Sequence, residues 1–189
     1  MKLLTMQEIA LSIIEETRDV DPEITEGLIL KEAVIPRSEI EKLQTKLHIG
    51  TLNQVFVELI LSYNWGNFGF LSYQFGVNDE ETLNWIVQRN LEYADYDILH
   101  QYDLMIIANG DPSTILLECA TGKVHAIDSE TDYEDRILIA NNFEMLVRAM
   151  GTGQYAVWNG KESEFISMIR ESVNAKGVEF WRGFVGYYK

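Results

Sequence analysis

Cysteine, proline, histidine and positive charge are all scarce in this chain of 189 residues. A single cysteine, Cys119, cannot close an intramolecular disulfide, so nothing indicates an oxidising compartment. Three Pro and 13 Gly exclude a linker-dominated or collagen-like protein. His48, His100 and His125 fall singly, with no Cys or His at ligand spacing, so no zinc pattern exists. No stretch approaches the ~18 uninterrupted apolar residues that a membrane span needs. The opening Met1-Lys2-Leu3-Leu4 is followed too soon by Gln7, Glu8, Glu15 and Glu16 to form the apolar stretch of a signal peptide. The expectation is a cytoplasmic, reduced protein. Fifteen Lys or Arg face 30 Asp or Glu, a formal charge of −15. Such a surface repels a nucleic-acid backbone and an anionic membrane alike. A basic protein partner, a cation, or no partner at all stays open.

What is present is ample apolar material, 47% hydrophobic and 11% aromatic, and an uneven distribution of acid. Residues 47–135 hold 15 acids and only two bases, Arg89 and Lys123. Residues 1–46 hold 10 acids and 6 bases, and residues 136–189 hold 5 acids and 7 bases. The excess therefore belongs to the middle of the chain. Three acidic groups stand out there: Asp79-Glu80-Glu81; Glu92, Asp95 and Asp97; and Asp128, Glu130, Asp132, Glu134 and Asp135, with Tyr133 among them. Acids of this kind steer a basic partner, and interleaved Tyr or Trp could anchor it. A merely solvated face, with the aromatics in the core, is the other reading.

Periodicity predicts an α+β plan, a central antiparallel meander sheet with helices packed around it. Met6, Ile9, Ala10, Ile13 and Ile14 share one side of a helix over 5–18, which Asp19–Glu23 stops at Pro22. Leu28–Leu30 reads as a short strand. Ile35-Pro36 opens a second helix with Ile40, Leu43 and Leu47, and Leu52, Val55, Phe56, Leu59 and Ile60 make a third over 51–63. Residues 68–77 read as an aromatic strand, and 82–96 as a helix with Asn78 near its cap. From residue 102 the period falls to two. Tyr102–Ala108, Thr114–Cys119, Lys123–Ile127 and Arg136–Ile139 read as consecutive strands, the first pair joined at Asn109-Gly110. A helix over 141–150 stops at Gly151, another follows near 161–174, and Val178–Tyr187 reads as a terminal strand. One domain over 1–189 is expected, with a C-terminal helix–strand extension over 155–189.

Catalytic patterns are missing. There is no nucleophile elbow and no phosphate-binding glycine loop, and Cys119 lies in an apolar strand pattern that favours an inert thiol. The alternate carboxylates Asp128, Glu130, Asp132 and Glu134 have the spacing that starts a calcium loop. Tyr133 and Ile139 stand where such a loop needs Gly and a bidentate Glu, so no metal site is expected. No cofactor is implied, and a non-enzymatic binding role is the expectation.

The order of segments resembles a known family. Ile35-Pro36 with Ile40 and Leu43 comes first, then Gly50 and Leu52 leading to Trp65-Gly66-Asn67. Met105–Ala108 next runs into Asn109-Gly110-Asp111 and Ile115–Leu117. Thr121-Gly122-Lys123-Val124 continues to Asp128, and Ile139-Ala140 precedes Phe143, Leu146 and Val147. This set, over roughly residues 28–150, is similar to the SUKH superfamily, the Smi/Knr cell-wall-regulator-like proteins. Asn53 stands where members usually have Pro, and Gly66-Asn67 where they have Asn-Gly. The resemblance implies an α+β domain and, for bacterial members, an immunity protein that binds and neutralises a cognate toxin. Many such toxins are nucleases with basic grooves, which an acidic protein would plug by imitating phosphates. The expected contact face is residues 79–97 and 128–135. A regulatory or scaffold module binding a host protein is the alternative the eukaryotic relatives imply.

Overall fold

A computed structural model describes residues 1–76, 82–93, 95–173 and 175–188. The chain begins with helix α1 (Met6–Glu16), short α2 (Pro22–Thr25) and strand β1 (Lys31–Glu32). Thr5 and Glu8 form a reciprocal capping box at the start of α1, and Asp21 caps α2. Then come α3 (Ser38–Lys46), α4 (Gln54–Ser62), β2 (Tyr63–Asn64), β3 (Gly69–Phe70) and β4 (Tyr73–Gln74). Helices α5 (Asn84–Leu91) and α6 (Tyr96–Gln101) lead into β5 (Leu104–Asn109), β6 (Ser113–Glu118), β7 (Val124–Asp128) and β8 (Ile137–Ala140). The chain closes with α7 (Phe143–Trp158), α8 (Glu162–Ser172) and α9 (Val178–Phe184). β1 and β2 form a separate ribbon, while β3 to β8 make one six-stranded sheet in sequence order, antiparallel at every step. The expected α+β meander is what the chain adopts.

Strand alternation gives the sheet two unequal faces. On one, Met105, Ile107, Ile115, Leu117, Val124, Ala126 and Ile139 join the main core with α4, α7, α8 and α9. Its centre is aromatic. Trp65 lies 5.1 Å from Phe143 and 5.2 Å from Phe75, ring centre to ring centre, and its indole N–H donates to the Leu59 carbonyl at 3.2 Å. On the other face, Leu104, Ile106, Leu116 and Ile127 make a smaller core, covered by Leu99 with Tyr93, Tyr102 and Tyr133 against it.

Several elements differ from expectation. Leu28–Leu30 is not a strand; the pairing falls at Lys31–Glu32. The single strand expected over 68–77 is replaced by a tight hairpin that pairs Gly69–Phe70 with Tyr73–Gln74; Val77 lies outside the described residues. The helix expected over 82–96 is two, and the turn between them brings Tyr93 and Leu99 over the smaller core; Asn78 lies outside the described residues. α7 runs through Gly151-Thr152-Gly153 to Trp158 instead of stopping. Two glycines cost a helix about 1 kcal/mol each, and close packing explains their presence. A Cβ on Gly151 would lie 2.6 Å from Ile9 of α1, and one on Gly153 2.7 Å from Phe184. Gly153→Val should therefore lower stability by about 1–3 kcal/mol, read from the urea midpoint. An unchanged midpoint would mean that α9 yields freely.

The terminal strand is also a helix. Val178, Trp181, Phe184 and Val185 recur at three- and four-residue steps and are buried, so burial overrides the β-preference of aromatic residues. α9 closes the free edge of the sheet. The Trp181 indole donates to the Ile139 carbonyl of β8 at 3.2 Å. At the opposite edge, Gly69 N–H of β3 donates to the Gly27 carbonyl at 3.1 Å.

Candidate functional site

The face that brings two of the acidic groups together is the smaller side of the sheet. Tyr102 leads into β5 and shares a face with Leu104 and Ile106, as alternation requires. Tyr133 enters from the 3₁₀ turn Tyr133–Asp135 and stacks on Tyr102, with ring centres 6.3 Å apart and an interplanar angle of 19°. Each phenol is fixed by a carboxylate. Tyr133 Oη donates to Asp95 Oδ2 at 3.2 Å, joining residues 38 apart, and Tyr102 Oη donates to Glu134 Oε1 at 2.9 Å. The Arg136 guanidinium lies 5.6 Å from the Tyr102 ring centre and donates to the Tyr133 carbonyl at 2.8 Å. Burial, then the hydrogen bond with Tyr93, holds the Tyr133 phenol well above its ordinary value. The Glu134 hydrogen bond, then burial, raises the Tyr102 phenol. Both tyrosines stay neutral donors, and brace the acids rather than project as anchors.

Glu92 and Asp97 are exposed on the α5 and α6 side of this face, and Asp95 is half-buried. Glu130, Asp132, Glu134 and Asp135 are exposed in the β7–β8 loop. Asp128 departs from the expected grouping. It follows Ile127 by one residue, so it points to the opposite side of the sheet. There it accepts from the Thr131 hydroxyl and borders a cleft of about 200 Å³ with Tyr73, Phe180 and Phe184. Asp79, Glu80 and Glu81 lie outside the described residues. Among the described residues, none of the carboxylates Glu92, Asp95, Asp97, Asp128, Glu130, Asp132, Glu134 or Asp135 forms an ion pair. Nor does Arg89, one of the two bases in this stretch, serve them. It lies half-buried over Trp85 and donates to the Gln74 carbonyl at 3.3 Å, and desolvation brings it down to about 10. The face keeps a net negative potential, offset in part by Arg136.

Groups with reactive potential are quiet. Cys119 is buried, and desolvation together with Asp103 raises its thiol well above the ordinary range, so no thiolate is available near neutrality. No cluster of three or more metal-ligating side chains occurs among the described residues. Sequence reasoning missed Arg136 and the bracing role of Tyr102, although the 102, 104, 106 alternation contained the latter.

His125 sits beneath this face, buried beside Glu118, with Nε2 3.4 Å from Oε2 and no partner for Nδ1. Burial, with the Arg136 charge adding, holds the imidazole below its ordinary 6.5. The folded state therefore binds the proton less readily than the unfolded chain. The resulting stability is complete above pH 6.5 and is lost as pH falls through the folded value. His125→Phe should abolish that acid-side loss, seen as urea midpoints that no longer drop between about pH 7.5 and 5.5. Parallel losses in variant and wild type would rule out His125 as the cause.

No protein family model matches the chain, and no curated protein matches it.

Proposed function

We propose that the chain is an immunity protein that binds a cognate basic protein toxin, a nuclease being the type that fits best, and neutralises it by covering its substrate groove. The observation that supports this most is the set of unpaired carboxylates carried by the braced Tyr102–Tyr133 face. A solvated surface needs no such fixing. A surface that must present charge in a set pattern gains from it, because less side-chain entropy is lost on binding. Carboxylates grouped on one braced face offer a basic groove what a phosphate backbone offers it. Inhibition would be steric and electrostatic, with no bond made or broken. The ordered segments set out above add the second support, since their order resembles that of a family with bacterial immunity members.

The test is co-expression with the polymorphic toxin encoded beside the gene. Restored growth and a co-purifying complex are expected. Undiminished toxicity with no complex would end the proposal and favour a regulatory module acting on a host protein.

A further inference from the structure

Far along the chain from the acidic face, the N-terminal helices carry an apolar groove with Glu16 on its rim, within an acidic stretch of sequence. Thr17, Val20, Ile24 and Leu28 line one side and Trp158, the last residue of α7, the other, around a volume of about 380 Å³. Its apolar side chains are open to solvent. Ile24 is 73% exposed, Val20 41% and Trp158 36%. Isolated exposed apolar residues need no explanation, but a cluster of them around a concave site does. The walls are also fixed. Asp21 Oδ1 accepts from Glu23 N–H at 3.0 Å, Thr25 Oγ1 donates to the Pro22 carbonyl at 3.2 Å, and Thr17 Oγ1 donates to the Ile13 carbonyl at 2.7 Å. Asn159 Nδ2 donates to Glu16 Oε1 at 3.3 Å, which ties the end of α7 to the end of α1 and sets Trp158 beside the groove.

The charge around it points to the occupant. Residues 15–26 hold Glu15, Glu16, Asp19, Asp21, Glu23 and Glu26 against Arg18 alone. Glu15, Asp19 and Glu23 are exposed and form no ion pair among the described residues. A second copy of the chain would set this rim against itself, and an anionic membrane would be repelled by it. We infer that the α1–α2 groove docks a basic amphipathic helix of a protein partner, whose apolar side chains enter between Ile24 and Trp158 while its Lys or Arg residues meet Glu15, Asp19 and Glu23. Such a helix supplies apolar groups every three or four residues along one side. Trp158 is the aromatic anchor on this side of the contact. This site is independent of the toxin-facing surface.

The chain reports on the groove unaided, because Trp65, Trp85 and Trp181 are buried and Trp158 alone of the tryptophans is exposed. The probe is a synthetic helical peptide of Leu and Lys with its leucines on one face, compared with a scrambled peptide of the same composition. The amphipathic peptide should shield Trp158 from acrylamide and shift the emission to the blue, and Trp158→Phe should remove that signal. Ile24→Lys, at a position exposed enough to leave folding intact, should weaken binding by about tenfold or more, with Val20→Lys as a second variant. Lysines at Asp97, Asp132 and Asp135 should leave it unchanged. Equal binding of the scrambled peptide, no shielding, or full affinity in both groove variants would overturn the proposal. So would Trp158 shielding that rises with protein concentration alone, since that would give the groove to a second copy.

Discussion

Reversing three charges, Asp97→Lys, Asp132→Lys and Asp135→Lys, should slow association with the proposed cognate toxin by roughly 100-fold at low salt, within the range electrostatic steering commonly provides. All three are exposed and free of ion pairs among the described residues, so the change acts on the potential and not on the fold. Stopped-flow mixing would measure it. The difference should shrink as salt rises, since the screening length falls from about 10 Å at 0.1 M to about 3 Å at 1 M. Asp95 is better left in place, because it accepts the Tyr133 hydroxyl and its loss would disturb the brace. Association at the wild-type rate in low salt would remove this face from the binding site.

Asn90→Leu should cost the fold about 3 kcal/mol, because it strips partners from two buried backbone groups. β4 has two residues and pairs with β5 only at Asn109, so on that side β5 lacks a strand partner at Ile106, which pairs with Leu116 of β6 on the other. Asn90 of α5 fills that place. Its Oδ1 accepts from Ile106 N–H at 2.8 Å and its Nδ2 donates to the Ile106 carbonyl at 2.9 Å, while also reaching the Ile86 carbonyl at 2.9 Å. The amide thus copies both bonds of a missing strand residue. Leu keeps its branched shape and none of its polarity. Asn90→Asp should fail as well, since a carboxylate would face two carbonyl oxygens. Urea unfolding would measure both variants, and a loss below about 1 kcal/mol would show that Ile106 finds other partners.

The meander was legible because β5 to β7 are short apolar runs set apart by turn residues, Asn109-Gly110 and Thr121-Gly122. Helices α1, α3 and α4 were legible from stripes such as Ile40, Leu43 and Leu47. The C-terminal helix was not, because Phe180, Trp181 and Phe184 favour strands locally and only their burial against β8 reverses that. α7 was cut short for a related reason, since the space that excludes a side chain at Gly151 is set by Ile9 of a distant helix. At the candidate site, the acids of 92–97 and 128–135 could be named from the sequence, but not their sides. Ile127 and Asp128 face opposite ways by strand alternation, which treating 128–135 as one block overlooked. The tie between Asp95 and Tyr133 spans 38 residues and leaves no local trace.

Both free edges of the sheet are engaged from within, β8 by the Trp181 indole and β3 by the Gly27 carbonyl. A partner cannot extend this sheet by adding a strand at those points, so recognition there has no backbone ladder to lean on. A partner that meets those edges must read side chains there. Binding specificity written in side chains can be revised one substitution at a time, with no strand register to preserve.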